Sequence, residues 1–552
     1  MPTINFQLAD FEGLLRKRLT EAELHEVLHF AKAELKHLDR EGECTVALAD
    51  TNQPYLWSVE GLARLLRGVL GLELGLPRLK PIKEERFVIK VARNIAAIRP
   101  WIAAFVARGR EIDDYLLRQL IQAQEKLSES YGRKRAKLSI GIYNAKRIEW
   151  PLSYEAVRPE SVAFIPLDFE RQMSMRQIVA EHPKGRLYGH LIAHFTRWPI
   201  FRDASHRVLS FPPIINSAWA GKVQPGDSEL LFEVTGIDRA AVELATSILA
   251  QNAADRAFKI FAVRTDYHTG HVWYPRAAPA RAKVVPERLN SLLGLKLSRA
   301  KISALLKRMR FGVRERTVLI PSYRADIMHE VDLVEEIAIA YGYDRLGELP
   351  LTSYTPGSTT ELNQFVDKLR ALMIGLGCQE ILSPILSNKA TLYKKMAAPD
   401  PGTIELSNPR SEFYSCLRSS ILPGLLELLS KNRHADFPQN VFEEGLVVSR
   451  RGAKVFEKNS LAAALCHAKA DYTGARQIVD ALLGSFGLKA EVRPIAHPSF
   501  IPGRVGEIMA NRTRLGLIGE IAPKVLLAFD IGAPVAAFEL DVSAFFEKVK
   551  KA

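Results

Sequence analysis

From Thr20 to Leu38 the apolar residues Leu24, Val27, Leu28, Ala31, Leu35 and Leu38 recur at the helical period, which predicts a helix over 20–38. Thr20 with Glu23 makes a capping box at its start. The same period predicts helices over 58–71, with Ser58 as cap, over 111–132, stopped by Gly132, and over 240–257. Short apolar runs, "RFVIKVA" and "KLSIGIYN", alternate with these helices and read as strands. "LNSLLGLKLSRAKISALLKRMRFGV" (289–313) reads as helix, turn, helix, with Ser298 as cap and Gly312 as stop. "TVLIPSY" is a strand, and an acidic helix follows over 331–342. After the linker-like "LPLTSYTPGSTT" (349–360), the helix "ELNQFVDKLRALMIGLG" leads into a strand "CQEILSPIL". A helix "SSILPGLLELLSKNRH" and the strands "NVFEEGLVV" and "LAAALCHA" come next, and their short connections predict an antiparallel sheet.

Punctuation by Pro77 and Pro81, and the changes of pattern further on, divide the chain into modules over 1–85, 86–272, 273–347 and 355–552. The expected fold is α+β and multidomain: an N-terminal α/β module, a larger α/β domain, a small helix-turn-helix-like module, and a C-terminal antiparallel sheet with flanking helices. A length of 552 residues accommodates such a division.

Composition narrows the function classes. Apolar residues make up 47% and charged residues 25%, as in ordinary folded proteins, which argues against a disordered architecture. The net charge of +14 favours a polyanionic partner such as nucleic acid, with a generally basic proteome as the plain alternative. Cys44, Cys378, Cys416 and Cys466 are scattered without a CxxC pair, which fits a reducing, cytoplasmic setting rather than a disulfide framework or a structural zinc site. The start "MPTINFQLADFEGLL" lacks the features of a signal peptide, and no stretch has the apolar length of a membrane span.

Three motifs carry candidate chemistry. "HEVLH" (25–29) has the spacing of a zinc-hydrolase helix, but His25 and His29 lie at the margin of the apolar stripe and no third ligand follows, so a solvated helix edge is the simpler reading. "YGRKRAK" (131–137) is a dense basic run, either a phosphate contact or a solvated turn. "PSYRADIMHEVDLVEEIAIAYGYDRL" (321–346) puts Asp326, Asp332, Glu335 and Glu336 within eleven residues. Asp332, Glu335 and Glu336 share a helical face, and like charges ~4 Å apart repel by about 4 kcal/mol near a protein surface. A hard cation such as Mg²⁺ would relieve this. So would a capping box of Asp332 with Glu335, with Arg324 or Arg345 neutralising the rest. No phosphate loop, nucleophile elbow or dinucleotide fingerprint is present.

These segments, together with "NQPYLWSVEGLARLLRGVLG", "LIQAQEKLSESYGRKRAKLSIGIYN", "SFPPIINS", "LSNPRSEFYSCLRSSILPGLLELLSKNRH" and "HPSFIPGRVGEI", make a chain that resembles, end to end, the β subunits of archaeal and eukaryotic phenylalanine–tRNA ligases, of the class II aminoacyl-tRNA synthetases. The resemblance implies an (αβ)₂ heterotetramer that joins phenylalanine to tRNA-Phe with ATP, the α subunit holding the aminoacylation site. It implies an editing-type domain over 86–272 that hydrolyses mischarged Tyr-tRNA-Phe, a metal-binding module over 273–347, and a class II synthetase-like core over 355–552. Magnesium would be held by Asp326, Asp332, Glu335 and Glu336, where the family's acids all have counterparts. The editing pocket would draw on Asn216, Ser217, Glu233, Thr235 and Asp238. After "INS" the family often carries a polar stretch with His or Thr; this chain departs from it with "AWAGK" (218–222). The core lacks an arginine in "FPQNVFEEG" (437–445), so it would be non-catalytic. A stand-alone nucleic-acid-binding or trans-editing protein on a degenerate synthetase is the alternative.

Overall fold

A computed structural model describes residues 2–348 and 350–550. Leu349, the first residue of the expected linker, lies outside them. The chain is a mixed α/β, multidomain protein with several sheets, and it divides into two compact units, 1–350 and 351–552. No helix among the described residues is long and apolar enough to cross a membrane.

The first unit opens with a three-stranded antiparallel sheet ordered Thr3–Gln7, Glu43–Leu48, Ala33–Leu38. Here the expected helix over 20–38 is corrected. Thr20 and Glu23 do form a capping box, but the helix spans only Glu21–His29. Lys32 then turns the backbone with φ 49°, and Ala33–Leu38 pairs with Glu43–Leu48. The ladder satisfies backbone groups that a solvated helix end would expose, and this outweighs a helix propensity worth only tenths of a kcal/mol per residue.

The helix Val59–Val69 is buried along its whole length, and the Ser58 hydroxyl accepts from Gly61 N at 3.2 Å. A Cβ at Gly61 would lie 1.7 Å from the Tyr55 carbonyl oxygen, so only glycine fits. Arg64 and Arg67 on this helix reach Asp255 at 2.8 and 3.3 Å, and Arg256 pairs with Glu60 at 2.7 Å. Buried charge thus ties the N-terminal module to the helix Arg239–Asp255.

That helix covers one face of a ten-stranded sheet. Its main path runs Ile215–Asn216, Val208–Phe211, Trp198–Arg202, Leu152–Val157, Ile82–Val91, Lys259–Tyr267, Trp101–Arg108, Glu229–Gly236, Leu138–Asn144, and Gly270–Tyr274 pairs with Lys259–Tyr267. The opposite face carries Phe87, Ile89, Tyr143, Tyr154 and Phe201. Ile82–Val91 is one continuous strand across the expected 85/86 division. The helix expected over 111–132 is an α-helix from Asp114 to Lys126, capped by Asp113, followed by a π-turn Leu127–Tyr131.

The small module has a three-stranded sheet ordered Ala280–Lys283, Thr317–Ile320, Gly312–Arg314, with helices Pro286–Leu293, Arg299–Arg308 and Glu330–Tyr341. Ser298 caps the second helix as expected, its hydroxyl accepting from Lys301 N at 3.3 Å. Gly312 does not stop that helix; the chain turns at Arg310, φ 68°, and Gly312 opens a strand.

In the second unit a seven-stranded sheet is ordered Gln379–Glu380, Gln439–Arg451, Lys454–Cys466, Val535–Asp541, Thr513–Ile521, Phe500–Ala510, Glu491–Pro494. Only the first pairing is parallel. Helices Glu361–Gly375, Tyr472–Gly484 and Val542–Val549 contribute to one core and Leu422–Lys431 to another. The single strand expected over "CQEILSPIL" is instead two short ones, Gln379–Glu380 and Leu386–Ser387, separated at Pro384. All four cysteines are buried and unpaired.

Candidate functional site

The strand Glu229–Gly236 carries the centre of the candidate site. Its side chains alternate, so Phe232 and Val234 point to the core beneath the helix Arg239–Asp255, and Glu233 and Thr235 point to the other face. Register sets Glu233 opposite Gly141 and Thr235 opposite Ser139. Glycine is needed at 141: a Cβ there would lie 2.2 Å from the Tyr143 hydroxyl and 2.7 Å from Glu233 Oε2. Tyr143 donates to Glu233 Oε2 at 2.8 Å, with Asn216 Oδ1 3.4 Å from the same hydroxyl. Glu233 Oε1 has no hydrogen-bond partner of normal length among the described residues.

Glu233 is 2% exposed. Burial pushes its carboxyl up to about 7, against the opposing effects of the Tyr143 hydrogen bond, the Arg99 charge and the Thr235 hydroxyl. Arg99 is itself buried, and that burial lowers it to about 10. It donates to Thr235 Oγ1 at 3.1 Å, to Ser139 Oγ at 3.1 Å and to the Thr235 carbonyl at 2.8 Å. The result is a polar cluster: a buried carboxyl pushed up by its burial, one oxygen held by Tyr143 and the other without a partner at hydrogen-bond distance among the described residues, flanked by the Arg99 guanidinium and by hydroxyls. Such a cluster has the acceptor and the donors to bond a hydroxyl group.

Of the five residues named for an editing pocket, Asn216 and Glu233 meet through Tyr143, and Thr235 sits two residues along the strand on the same face, bonded to Arg99 and Ser139. Ser217 follows Asn216, is buried, and its hydroxyl has no partner among the described residues. Asp238 lies apart: it caps the helix Arg239–Asp255, accepting from Ala241 N at 3.1 Å, and pairs with Lys137 at 3.1 Å. Tyr143, Ser139 and Arg99 were not singled out from the sequence. For Tyr143 and Ser139 the signal is alternation along Leu138–Asn144, which has meaning once the register with Glu229–Gly236 is known, and for Arg99, outside any strand, the sequence holds none.

The four acids of the small module divide into three separate arrangements. Asp326 and Glu336 both face the buried Arg324, with Nε 3.0 Å from Asp326 Oδ1 and Nη1 2.9 Å from Glu336 Oε2. Burial opposes charge on Arg324, but Glu336, Tyr55 and Asp326 hold its pKa well above the ordinary value. Asp332 is not the helix N-cap: His329 is, and Asp332 accepts from Met328 N and His329 N at 2.7 Å each. Glu335 pairs with Lys32 at 3.1 Å and accepts from the Tyr343 hydroxyl. Among the described residues no group of three or more His, Cys, Asp or Glu side chains is arranged to hold a metal ion. The expected convergence of these four acids is therefore absent from this arrangement, because protein cations and backbone N–H groups already balance each of them. His25 and His29 are exposed on their helix, as a solvated margin requires.

Comparison with known proteins places this chain among the multidomain aminoacyl-tRNA synthetases. Residues 347–542 match the phenylalanyl tRNA synthetase beta chain CLM domain, and residues 282–343 match the tRNA synthetase B5 domain. The phenylalanine–tRNA ligase beta subunit of Thermococcus sibiricus is 36% identical over 557 residues, covering 99% of each chain. That of Archaeoglobus fulgidus is 39% identical over 506 residues, covering 90% of each. A crystal structure of an N-terminal fragment of the phenylalanyl-tRNA synthetase beta subunit from Pyrococcus horikoshii superposes with TM-score 0.60 at 33% identity, over 62% of this chain and 100% of that one. The chain belongs to the family of phenylalanine–tRNA ligase β subunits.

Proposed function

We propose that this chain works in the cytoplasm with an α subunit, as an (αβ)₂ heterotetramer that uses ATP to attach phenylalanine to tRNA-Phe. Family membership over 99% of the chain is the observation that carries this reading. The C-terminal unit, as a class II synthetase-like core, is non-catalytic in this account. Its strand Gln439–Arg451 buries Glu443, whose partner is Arg418 at 2.5 Å. A buried acid paired with Arg418 at that place is not a phosphate partner. ATP is then a substrate of the assembly and is bound by α.

The cluster around Glu233 is the editing pocket in this reading. The free Oε1 of Glu233 would bond the phenolic hydroxyl of a mischarged tyrosine, whereas phenylalanine would leave that buried oxygen unpaired. Such asymmetry gives strong discrimination. Tyr143 and Asn216 hold the carboxyl, and Arg99 and Ser139 fix Thr235. Ser217 flanks the pocket, and Asp238 contributes through the fold alone.

For the small module we propose a structural role, with Arg324 as the counter-cation of Asp326 and Glu336. The four acids do not fit a magnesium cage as arranged, since an ion there would have to displace Arg324, Lys32 and the helix N-terminus. The test of the whole reading is purification with the α subunit, followed by charging of tRNA-Phe and deacylation of Tyr-tRNA-Phe by the wild type and Glu233→Gln. Charging kept and deacylation of Tyr-tRNA-Phe lost is the expected pattern. Equal deacylation by both would remove Glu233 from the pocket.

A further inference from the structure

A second polar concavity lies within the first unit, at the start of the strand that carries Ser139 and Gly141. It has a volume of about 680 Å³, and its lining includes Trp57, Lys126, Ser130, Tyr131, Arg133 and Lys137. Two features set it apart from a solvated basic turn.

The first is unbalanced charge. Lys137 is shared: it pairs with Asp238 at 3.1 Å and lies 4.9 Å over the Tyr131 ring. Lys126 and Arg133 have no carboxylate partner among the described residues. Two unpaired cations and one shared cation face a single cavity, and this arrangement favours an anion. The second feature is an unused donor. Trp57 is 2% exposed, yet its indole N–H has no hydrogen-bond partner among the described residues. A buried donor left alone costs about 1–3 kcal/mol, so a ligand oxygen reaching it would recover that free energy.

The loop that presents Arg133 is fixed. Arg133, Lys134 and Arg135 are all left-handed, with φ 50°, 51° and 65°. Arg135 anchors the turn by donating to the carbonyls of Pro213 and Ile214 at 3.2 and 2.8 Å. Gly132 is required before it, because a Cβ there would lie 2.4 Å from the Ser128 carbonyl oxygen and 2.6 Å from that of Leu138. The chain then runs from Lys137 directly into Leu138–Asn144, where Ser139 is paired opposite Thr235.

We propose that this cavity seats backbone phosphate of an RNA strand, through Arg133, Lys126 and the Trp57 N–H. The seat lies beside Lys137, where the chain enters the strand Leu138–Asn144. RNA is favoured over a free anion because Arg133 at the cavity and its neighbour Lys134 are exposed and because the chain carries a charge of +14. The inference rests on the ligase reading above.

The test measures binding of transcribed tRNA-Phe to the full chain co-purified with its α subunit, across a KCl series. The double variant Lys126→Ala/Arg133→Ala should bind about tenfold more weakly at low salt, and the slope of log K against log[KCl] should fall by about two. Trp57→Phe removes the donor, with part of the buried ring, and no charge, so it should weaken binding a few-fold without changing that slope. Arg118→Ala/Arg171→Ala removes the same charge from exposed positions outside the cavity and should change neither quantity. If the Lys126/Arg133 variant matches this control, the phosphate seat is overturned and the ligase reading stands. If the wild-type complex neither binds nor charges tRNA-Phe, the ligase reading fails and the seat fails with it.

Discussion

Replacing Arg324 by methionine tests the electrostatic account of the acidic module. Arg324 is 1% exposed at its side chain, and Asp326 and Glu336 are each 4% exposed. Its guanidinium bonds both carboxylates and lies 5.0 and 4.9 Å from the Tyr55 and Phe311 rings. Methionine keeps most of the apolar packing and removes the charge, leaving two buried carboxylates facing each other. Removing one partner of a buried ion pair costs about 3–5 kcal/mol, so Arg324→Met should lower stability by about 4 kcal/mol, near a thousandfold in the folding constant. Adding Glu336→Gln removes one stranded charge and should recover about 1–3 kcal/mol. Guanidinium denaturation of the full chain, followed by circular dichroism, reads both effects on the transition of the first unit. Millimolar MgCl₂ should not shift the wild-type midpoint if Arg324, Lys32 and backbone N–H groups are the partners of these acids. A loss below about 1 kcal/mol for Arg324→Met, or a saturable magnesium stabilisation of the wild type that disappears in Asp326→Asn, would refute the account.

Two further predictions follow from the candidate site. The folded-state value of Glu233, about 7, lies above its ordinary 4.5, so its contribution to stability is fully present below pH 4.5 and is lost as pH rises through 7. Glu233→Gln should therefore flatten the pH dependence of stability between 5 and 8, by about 3 kcal/mol at most, and urea titrations at several pH values would read this; parallel curves for the two proteins would contradict the buried, raised carboxyl. Asp238→Ala should cost about 1 kcal/mol through the lost helix cap and leave deacylation of Tyr-tRNA-Phe intact; selective loss of deacylation would return Asp238 to the pocket.

The sequence was most legible where local rules decide. Ser58, Thr20 and Ser298 act as the caps their positions imply, and the apolar stripe of 59–69 is a buried helix. It was least legible where distant partners decide. Residues 33–38 carry a helical pattern, yet Glu43–Leu48 draws them into a sheet. Asp332 had the right spacing for an N-cap, but His329 precedes it with the required extended backbone, and Asp332 serves from the third helical position. Glu233 and Thr235 were visible as candidates, while Tyr143 and Arg99 were not. Those contacts span 90 and 136 residues and depend on register, which one-dimensional spacing does not encode. The sequence offers Arg324 as a neutraliser of the acids, but only burial and bonding pick out Asp326 and Glu336 as the two it serves.

The most direct measurement of the central claim is aminoacylation by this chain purified together with its α subunit. The account predicts a stable complex that charges tRNA-Phe with phenylalanine only when ATP and both subunits are present, and no charging by this chain alone. A stable complex that charges no tRNA, or charging by this chain without α, would contradict it.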